Sequence, residues 1–186
     1  MQGYSYEVVV AAGDQGVVFP LLASVGAANA SEAETFLPKA DRLPASTSFV
    51  LADGAYDTAA IAQRVECPAG GRSRTFLCPV IARGKPPQGQ SRSHVASPER
   101  KKRQQRMRTK KARQIYAKRS TTVEPFNDWF KGAFEMNDKV WHRGLDNNCT
   151  QVLAAIFTYQ LLVREANHGR RKSLRNGQIR ALLDAL

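Results

Sequence analysis

Three cysteines are all that the chain holds, Cys67, Cys78 and Cys149, and no two of them form a Cys-x-x-Cys pair. That is too few and too scattered for a disulfide framework. It also excludes a zinc ribbon, so a reducing compartment fits best. Histidine is equally scarce, and His94, His142 and His168 stand without partners at metal-ligand spacing. Long apolar runs are missing too. The longest stretch, Val152 to Val163, is interrupted by Thr158, Tyr159 and Gln160 and is too short to span a bilayer. The opening Met1-Gln2-Gly3-Tyr4 carries no basic region leading into an apolar core, so no signal peptide is expected. Gly-x-Ser-x-Gly, Gly-x-Gly-x-x-Gly and phosphate-loop patterns are absent, and no cysteine has the His–Asx context of a nucleophile. These absences lead to the expectation of a soluble cytoplasmic chain with no membrane association.

What the chain does have is positive charge, and it is concentrated. The formal net charge is +12, yet residues 83–119 hold fourteen of the 28 basic side chains against one acid, Glu99. The remainder is close to neutral. Dense Lys and Arg bind polyanions through phosphate neutralisation and counterion release, so nucleic acid is the expected partner. The bland alternative is a solvated basic helix. A membrane-surface helix would need apolar residues among the charges, and between Arg100 and Arg113 the only large one is Met107.

At 186 residues, 42% hydrophobic and 24% charged, the composition is that of one globular domain, residues 1–186, with an inserted flexible basic loop and helix at about 83–119. Tyr4, Tyr6, Val8 and Val10 alternate as one face of a strand. Gly13-Asp14-Gln15-Gly16 supplies a hairpin turn, and Val17-Val18-Phe19 begins the return. Ser31-x-x-Glu34 has capping-box spacing for a short helix stopped by Pro38 or by Leu43-Pro44. Ser48 to Ala52 reads as a buried central strand ending at Asp53-Gly54, and Asp57 can cap a helix over Thr58 to Val65. Arg74 to Ile81 predicts a further strand, with Pro79 at an edge or bulge. A Pro-, Gly- and Ser-rich loop follows, then one long basic helix from Pro98-Glu99 to about Lys118. Thr121 or Thr122 caps the next helix, whose apolar face is Val123, Phe126, Phe130 and Phe134. Val152 to Ala166 is apolar nearly all round and is expected to be buried. The tail beyond Asn167 is expected to be loose or a short surface helix. Strand, strand, helix, strand, helix, strand, helices is an α/β order.

Two acids stand where chemistry could be done, each with a plain structural alternative. Asp53 sits at the C-terminal end of an apolar strand, where α/β folds place their sites, but Asp-Gly is also a common turn. Glu124 could complete a Thr121-x-x-Glu124 capping box. Lys131 lies two helical turns beyond Glu124, about 10.5 Å along the axis and on nearly the same face. Asp128 and Glu135 share that stripe, which also reads as an ordinary solvated face.

Together these pieces resemble DDE transposases of bacterial insertion sequences. Val50-Leu51-Ala52-Asp53-Gly54-Ala55-Tyr56-Asp57 is similar to the family's segment around its second catalytic Asp. Tyr116, Arg119, Glu124 and Lys131 resemble its Tyr-x2-Arg-x3-Glu-x6-Lys signature, with one extra residue between Arg119 and Glu124. Arg143-Gly144-Leu145 and the helix over Val152–Val163 resemble its closing segment. The resemblance implies an RNase H-like fold, here incomplete: hairpin, helix, central strand, helix, strand, then C-terminal helices. It implies DNA transposition through metal-dependent strand cleavage and strand transfer. Asp53 and Glu124 would be catalytic and would hold Mg²⁺ or Mn²⁺, hard ions that prefer carboxylate oxygens. Two such ions about 3.5–4 Å apart clamp the attacking and leaving oxygens of an in-line phosphoryl displacement. Tyr116, Arg119, Lys131 and Arg143 would contact DNA, alongside the basic side chains Lys101, Lys102, Arg103, Lys110 and Lys111.

The family's first Asp lies on a strand upstream of the hairpin, and neither Glu7 nor Asp14 can be given its role. The expectation is therefore a truncated catalytic domain, inactive alone, whose partners are insertion-sequence DNA ends and an upstream transposase fragment or a second copy. The competing reading is a basic nucleic-acid-binding protein without catalysis.

Overall fold

The computed structural model describes residues 4–12, 18–69, 71–79, 97–134 and 143–168. Asp14 of the expected hairpin turn, His94 and most of the expected Pro-rich loop, Val80 and Ile81 of the expected strand, Glu135, His142 and the tail beyond 168 lie outside them. The chain divides into two compact units, Met1–Ser31 with Ser120–Leu186, and Glu32–Arg119.

In the first unit, β1 (Tyr4–Ala12) pairs antiparallel with β2 (Val18–Ala27), from Tyr4 opposite Ala27 to Ala12 opposite Val18. The register shifts between Val9 and Val10, where Val9 faces Leu22 but Val10 faces Pro20. Such a bulge is where a strand tolerates a proline, which has no N–H for the ladder. Three of the four residues of the expected face turn inward, while Tyr4 at the start of β1 is 37% exposed. Tyr6, Val8 and Val10 turn onto a core built with α5 (Val123–Ala133) and α6 (Leu145–His168). Phe126 and Phe130 stack with centroids 5.4 Å apart, Tyr6 meets Phe130 edge-on at 5.6 Å, and Tyr159 meets Phe126 edge-on at 5.3 Å. These aromatic side chains each remove a large apolar area from water, so they dominate the unit's stability. Two polar ties lock α6 to β2. The buried Tyr159 hydroxyl donates to the Val18 carbonyl at 3.0 Å, and Gln160 Nε2 donates to the Pro20 carbonyl at 2.7 Å.

α6 departs from the expected all-round burial. Val152, Ile156, Tyr159 and Val163 are buried, but Leu153, Phe157 and Leu161 are 44%, 59% and 45% exposed. Its apolar composition overstates its burial because one side of a helix packed on a hairpin stays open.

In the second unit, α1 (Glu32–Ala40) contains Pro38 in its last turn rather than stopping before it. β3 (Phe49–Leu51) pairs in parallel with β4 (Thr75–Leu77), and among the described residues they form a two-stranded sheet. Val50 is buried but Phe49 is 42% exposed, so β3 is not the fully buried central strand that its apolar run suggests. Between them lie a 3₁₀ turn, Gly54–Tyr56, and α2 (Ala59–Glu66). The buried Arg74 guanidinium donates to the Ala40 carbonyl, left open at the end of α1, at 3.2 Å and to the Leu43 carbonyl in the turn that follows at 3.0 Å.

The expected single basic helix is two. α3 (Pro98–Arg108) ends at Thr109, whose extended backbone (φ −71°, ψ 143°) breaks the run. Its hydroxyl accepts from the Ala112 amide to cap α4 (Lys110–Ala117). The fold is thus mixed α/β, with small sheets and six α-helices among the described residues, consistent with an incomplete RNase H-like domain. No helix among them is long and apolar enough to cross a membrane.

Candidate functional site

Asp53 follows the parallel β3–β4 pair, whose ladder is prolonged by a bond from the Ala52 amide to the Leu77 carbonyl at 3.1 Å. Its backbone is extended, and its Oδ1 accepts from the Ala55 amide at 3.0 Å to cap the 3₁₀ turn. The turn explanation for Asp-Gly therefore holds, but it occupies only one carboxylate oxygen. Oδ2 lies 3.4 Å from the Arg119 guanidinium, and the Asp53 side chain remains 46% exposed.

Two further groups hold the backbone beneath that carboxylate. The Tyr116 hydroxyl donates to the Ala52 carbonyl at 3.1 Å, and the Cys78 thiol donates to the Asp53 carbonyl at 2.8 Å. Burial, reinforced by the negative charges of Asp57 and Asp53, pushes the Cys78 thiol up to about 12, so it stays a neutral donor. Burial likewise raises the Tyr116 hydroxyl above its ordinary value. The structure thus brings Asp53, Tyr116 and Arg119 together, three of the residues singled out by the transposase resemblance. Cys78 is an addition that the sequence did not reveal, since an isolated cysteine carries no positional signal.

Glu124 and Lys131 belong to the other unit, on α5. Glu124 is exposed in the first helical turn, where a negative charge suits the helix dipole, and Lys131 is half-buried seven residues on. Thr122 is the N-cap, but its backbone is helical (φ −116°, ψ −56°) and its side chain makes no cap bond. The N-cap is thus the second of the two expected threonines. Arg143 is exposed, and its carbonyl accepts from Asn147 Nδ2 at 3.0 Å ahead of α6.

The basic stretch is sorted by the fold. Lys101, Lys102, Lys110 and Lys111 are exposed. Arg103 is only 5% exposed and its guanidinium lies 3.4 Å from Asp57 Oδ1, so it is not the solvent-facing DNA contact that sequence reasoning made it. Asp57 is displaced from its expected role in turn. Thr58, not Asp57, caps α2 by accepting from the Ile61 amide at 3.2 Å. Asp57 is buried instead, held by Arg100 at 2.6 Å as well as by Arg103.

Among the described residues, no three His, Cys, Asp or Glu side chains gather to hold a metal ion. Asp53 nonetheless has the donor chemistry for a hard divalent cation: an accessible carboxylate with one oxygen committed only to a long ion pair.

The mixed α/β fold is consistent with an incomplete RNase H-like fold, and Asp53 is an accessible acid fixed at the end of one of its strands. The sequence profile of the transposase DDE domain matches residues 4–161, most of the chain. The chain belongs to the DDE transposase family, and its function is DNA transposition. Members act on DNA as nucleases and transesterases and generally use divalent metals. No curated protein matches the chain. No solved structure matches it either.

Proposed function

We propose that this chain supplies two of the metal-binding carboxylates, Asp53 and Glu124, and much of the DNA-binding surface for Mg²⁺- or Mn²⁺-dependent cleavage and transfer of insertion-sequence DNA strands. The observation that carries the reading is the support built around Asp53. Tyr116 and Cys78 fix its backbone from α4 and the end of β4, while its carboxylate stays accessible. A surface Asp-Gly turn needs no such support.

When bound, a divalent ion supplies charge stabilisation for the oxygens of an in-line phosphoryl displacement. The chain's own residues do the rest. Asp53 and Glu124 offer hard oxygen ligands. Arg119 flanks Asp53, where a guanidinium can hold a phosphate, Tyr116 steadies the backbone beneath it, and Lys131 shares a helix face with Glu124. Lys101, Lys102, Lys110, Lys111 and Arg143 offer exposed positive charge for duplex phosphates.

The test combines Mn²⁺ titration followed by electron paramagnetic resonance with duplex binding and strand cleavage. Asp53→Asn and Glu124→Gln should each weaken Mn²⁺ binding sharply and leave duplex affinity nearly unchanged. Metal-dependent cleavage that survives Asp53→Asn, or Mn²⁺ binding indifferent to both substitutions, overturns the catalytic assignment. Duplex binding would then be left as a function without catalysis.

A further inference from the structure

α3 poses a physical problem. Its sequence, Pro-Glu-Arg-Lys-Lys-Arg-Gln-Gln-Arg-Met-Arg, offers Met107 as its one large apolar residue, so hydrophobic burial cannot fix which side faces the body of its unit. Yet Arg103 is buried within it. The fixing groups are charges. Arg100, Arg103 and Arg106 recur every three residues and so share one side of the helix. Arg100 donates through both Nε and a terminal nitrogen to Asp57 Oδ2, at 3.0 and 2.6 Å, and Arg103 reaches Asp57 Oδ1 at 3.4 Å. Arg106 pairs with Glu66 at the end of α2 and donates to the Phe76 carbonyl of β4 at 3.3 Å.

Asp57 is the centre of this arrangement. Its side chain is 3% exposed, so its charge is tolerable only because two guanidinium groups share it. Among the described residues Asp57 is the carboxylate that the Arg103 guanidinium pairs with, and the buried Nε of Arg103 makes no hydrogen bond. Lys101, Lys102 and Arg108 are left on the exposed part of α3, followed at once by exposed Lys110 and Lys111.

We infer that Asp57, with Glu66, is a carboxylate latch: it reserves Arg100, Arg103 and Arg106 for holding α3 to its unit and so presents Lys101, Lys102 and Arg108 as a fixed phosphate-binding row. Asp57 is a positioning residue, acting on DNA only through α3. The inference rests on the DNA-binding reading above for the row, but not for the latch. The basic residues therefore fall into two classes that composition cannot separate.

The experiment measures two quantities on the full chain: amide hydrogen exchange across residues 98–108, and the salt dependence of binding to a short duplex oligonucleotide. Lys101→Gln and Lys102→Gln should each make the log–log salt slope shallower by about 0.9 and leave exchange unchanged. Arg103→Gln and Asp57→Asn should each speed exchange in α3 by about tenfold or more, as expected when a local tie is cut. The double variant should be little faster than Asp57→Asn alone, because that change already removes the pair that Arg103→Gln breaks. Arg103→Gln should leave the slope as it is. Should burial make Arg103→Gln or Asp57→Asn fold poorly, Arg100→Gln, at the more accessible pair, must show the same pattern. The latch is overturned if Asp57→Asn leaves α3 exchange untouched, or if Arg103→Gln and Arg100→Gln flatten the slope as Lys101→Gln does. A slope near zero for every chain, wild type included, sinks the phosphate row and the DNA reading, while exchange still decides the latch.

Discussion

The Arg119 guanidinium lies 3.4 Å from the Asp53 carboxylate, so the acid proposed to hold a metal ion already has a cation beside it. Both side chains are partly exposed, and such pairs are weak. Arg119 would therefore yield Asp53 at small cost if a divalent ion were bound there. Replacing Arg119 with Gln should tighten Mn²⁺ binding about two- to fivefold, the equivalent of a surface ion pair. Adding Asp53→Asn should erase the gain. Unchanged Mn²⁺ affinity in Arg119→Gln would show that the two cations do not compete for Asp53.

Salt dependence provides a count of the phosphates engaged. If the exposed Lys101, Lys102, Arg108, Lys110 and Lys111 each neutralise one phosphate of a duplex, the log–log slope should be about −4.5. Glutamine at Lys101, Lys102, Lys110 and Lys111 together should bring it to about −1 with no change in the melting temperature. A slope that stays steep after those four changes would move the binding surface elsewhere.

Alkaline pH should destabilise the fold through its buried acids. Burial pushes the Tyr6 and Tyr159 hydroxyls and the Cys78 thiol up to about 12, above their ordinary values of 10.0, 10.0 and 9.0. The folded state holds these protons more tightly than the unfolded chain. Their contribution is thus complete below about pH 9 and is lost as pH rises toward 12. The thermal midpoint, followed by circular dichroism, should fall steadily across that window. Tyr159→Phe should be less stable at neutral pH by about 1 kcal/mol, having lost the bond to the Val18 carbonyl, and should fall less steeply above pH 10.

Two glycines with open surroundings should respond to alanine in opposite directions. Gly144 precedes α6 with φ +89°, and nothing lies within 4 Å of an added Cβ. Alanine there should cost about 1–2 kcal/mol from backbone strain alone. Gly132 lies within α5, also with open space, and Gly132→Ala should stabilise by about 0.8–1 kcal/mol. Urea unfolding of the two variants measures both signs. Equal effects would mean that the dihedral angle at Gly144 is not what its carbonyl bonds with Asn148 require.

Much of this was legible in the residues because it depends on local pattern. The alternation of Tyr6, Val8 and Val10 and the spacing of Phe126 and Phe130 each record which side of an element meets a core, and the elements formed in the expected order. Thr109 was the harder case. A threonine inside a basic, helix-favouring run gives weak notice of a break, yet its hydroxyl caps a new helix by serving the Ala112 amide.

The sequence by itself determined the α/β order, the family and the concentration of charge in one stretch, since composition and short-range spacing carry those. Only the tertiary structure decided which charges stay exposed and which are taken up in ion pairs. Asp57 and Arg103 are 46 positions apart, and nothing local distinguishes Arg103 from Lys102, or Asp57 from an ordinary helix cap. Their pairing depends on α3 packing against the strand–helix corner that holds Asp57, where low exposure makes an unpartnered carboxylate too costly and selects arginine as its partner.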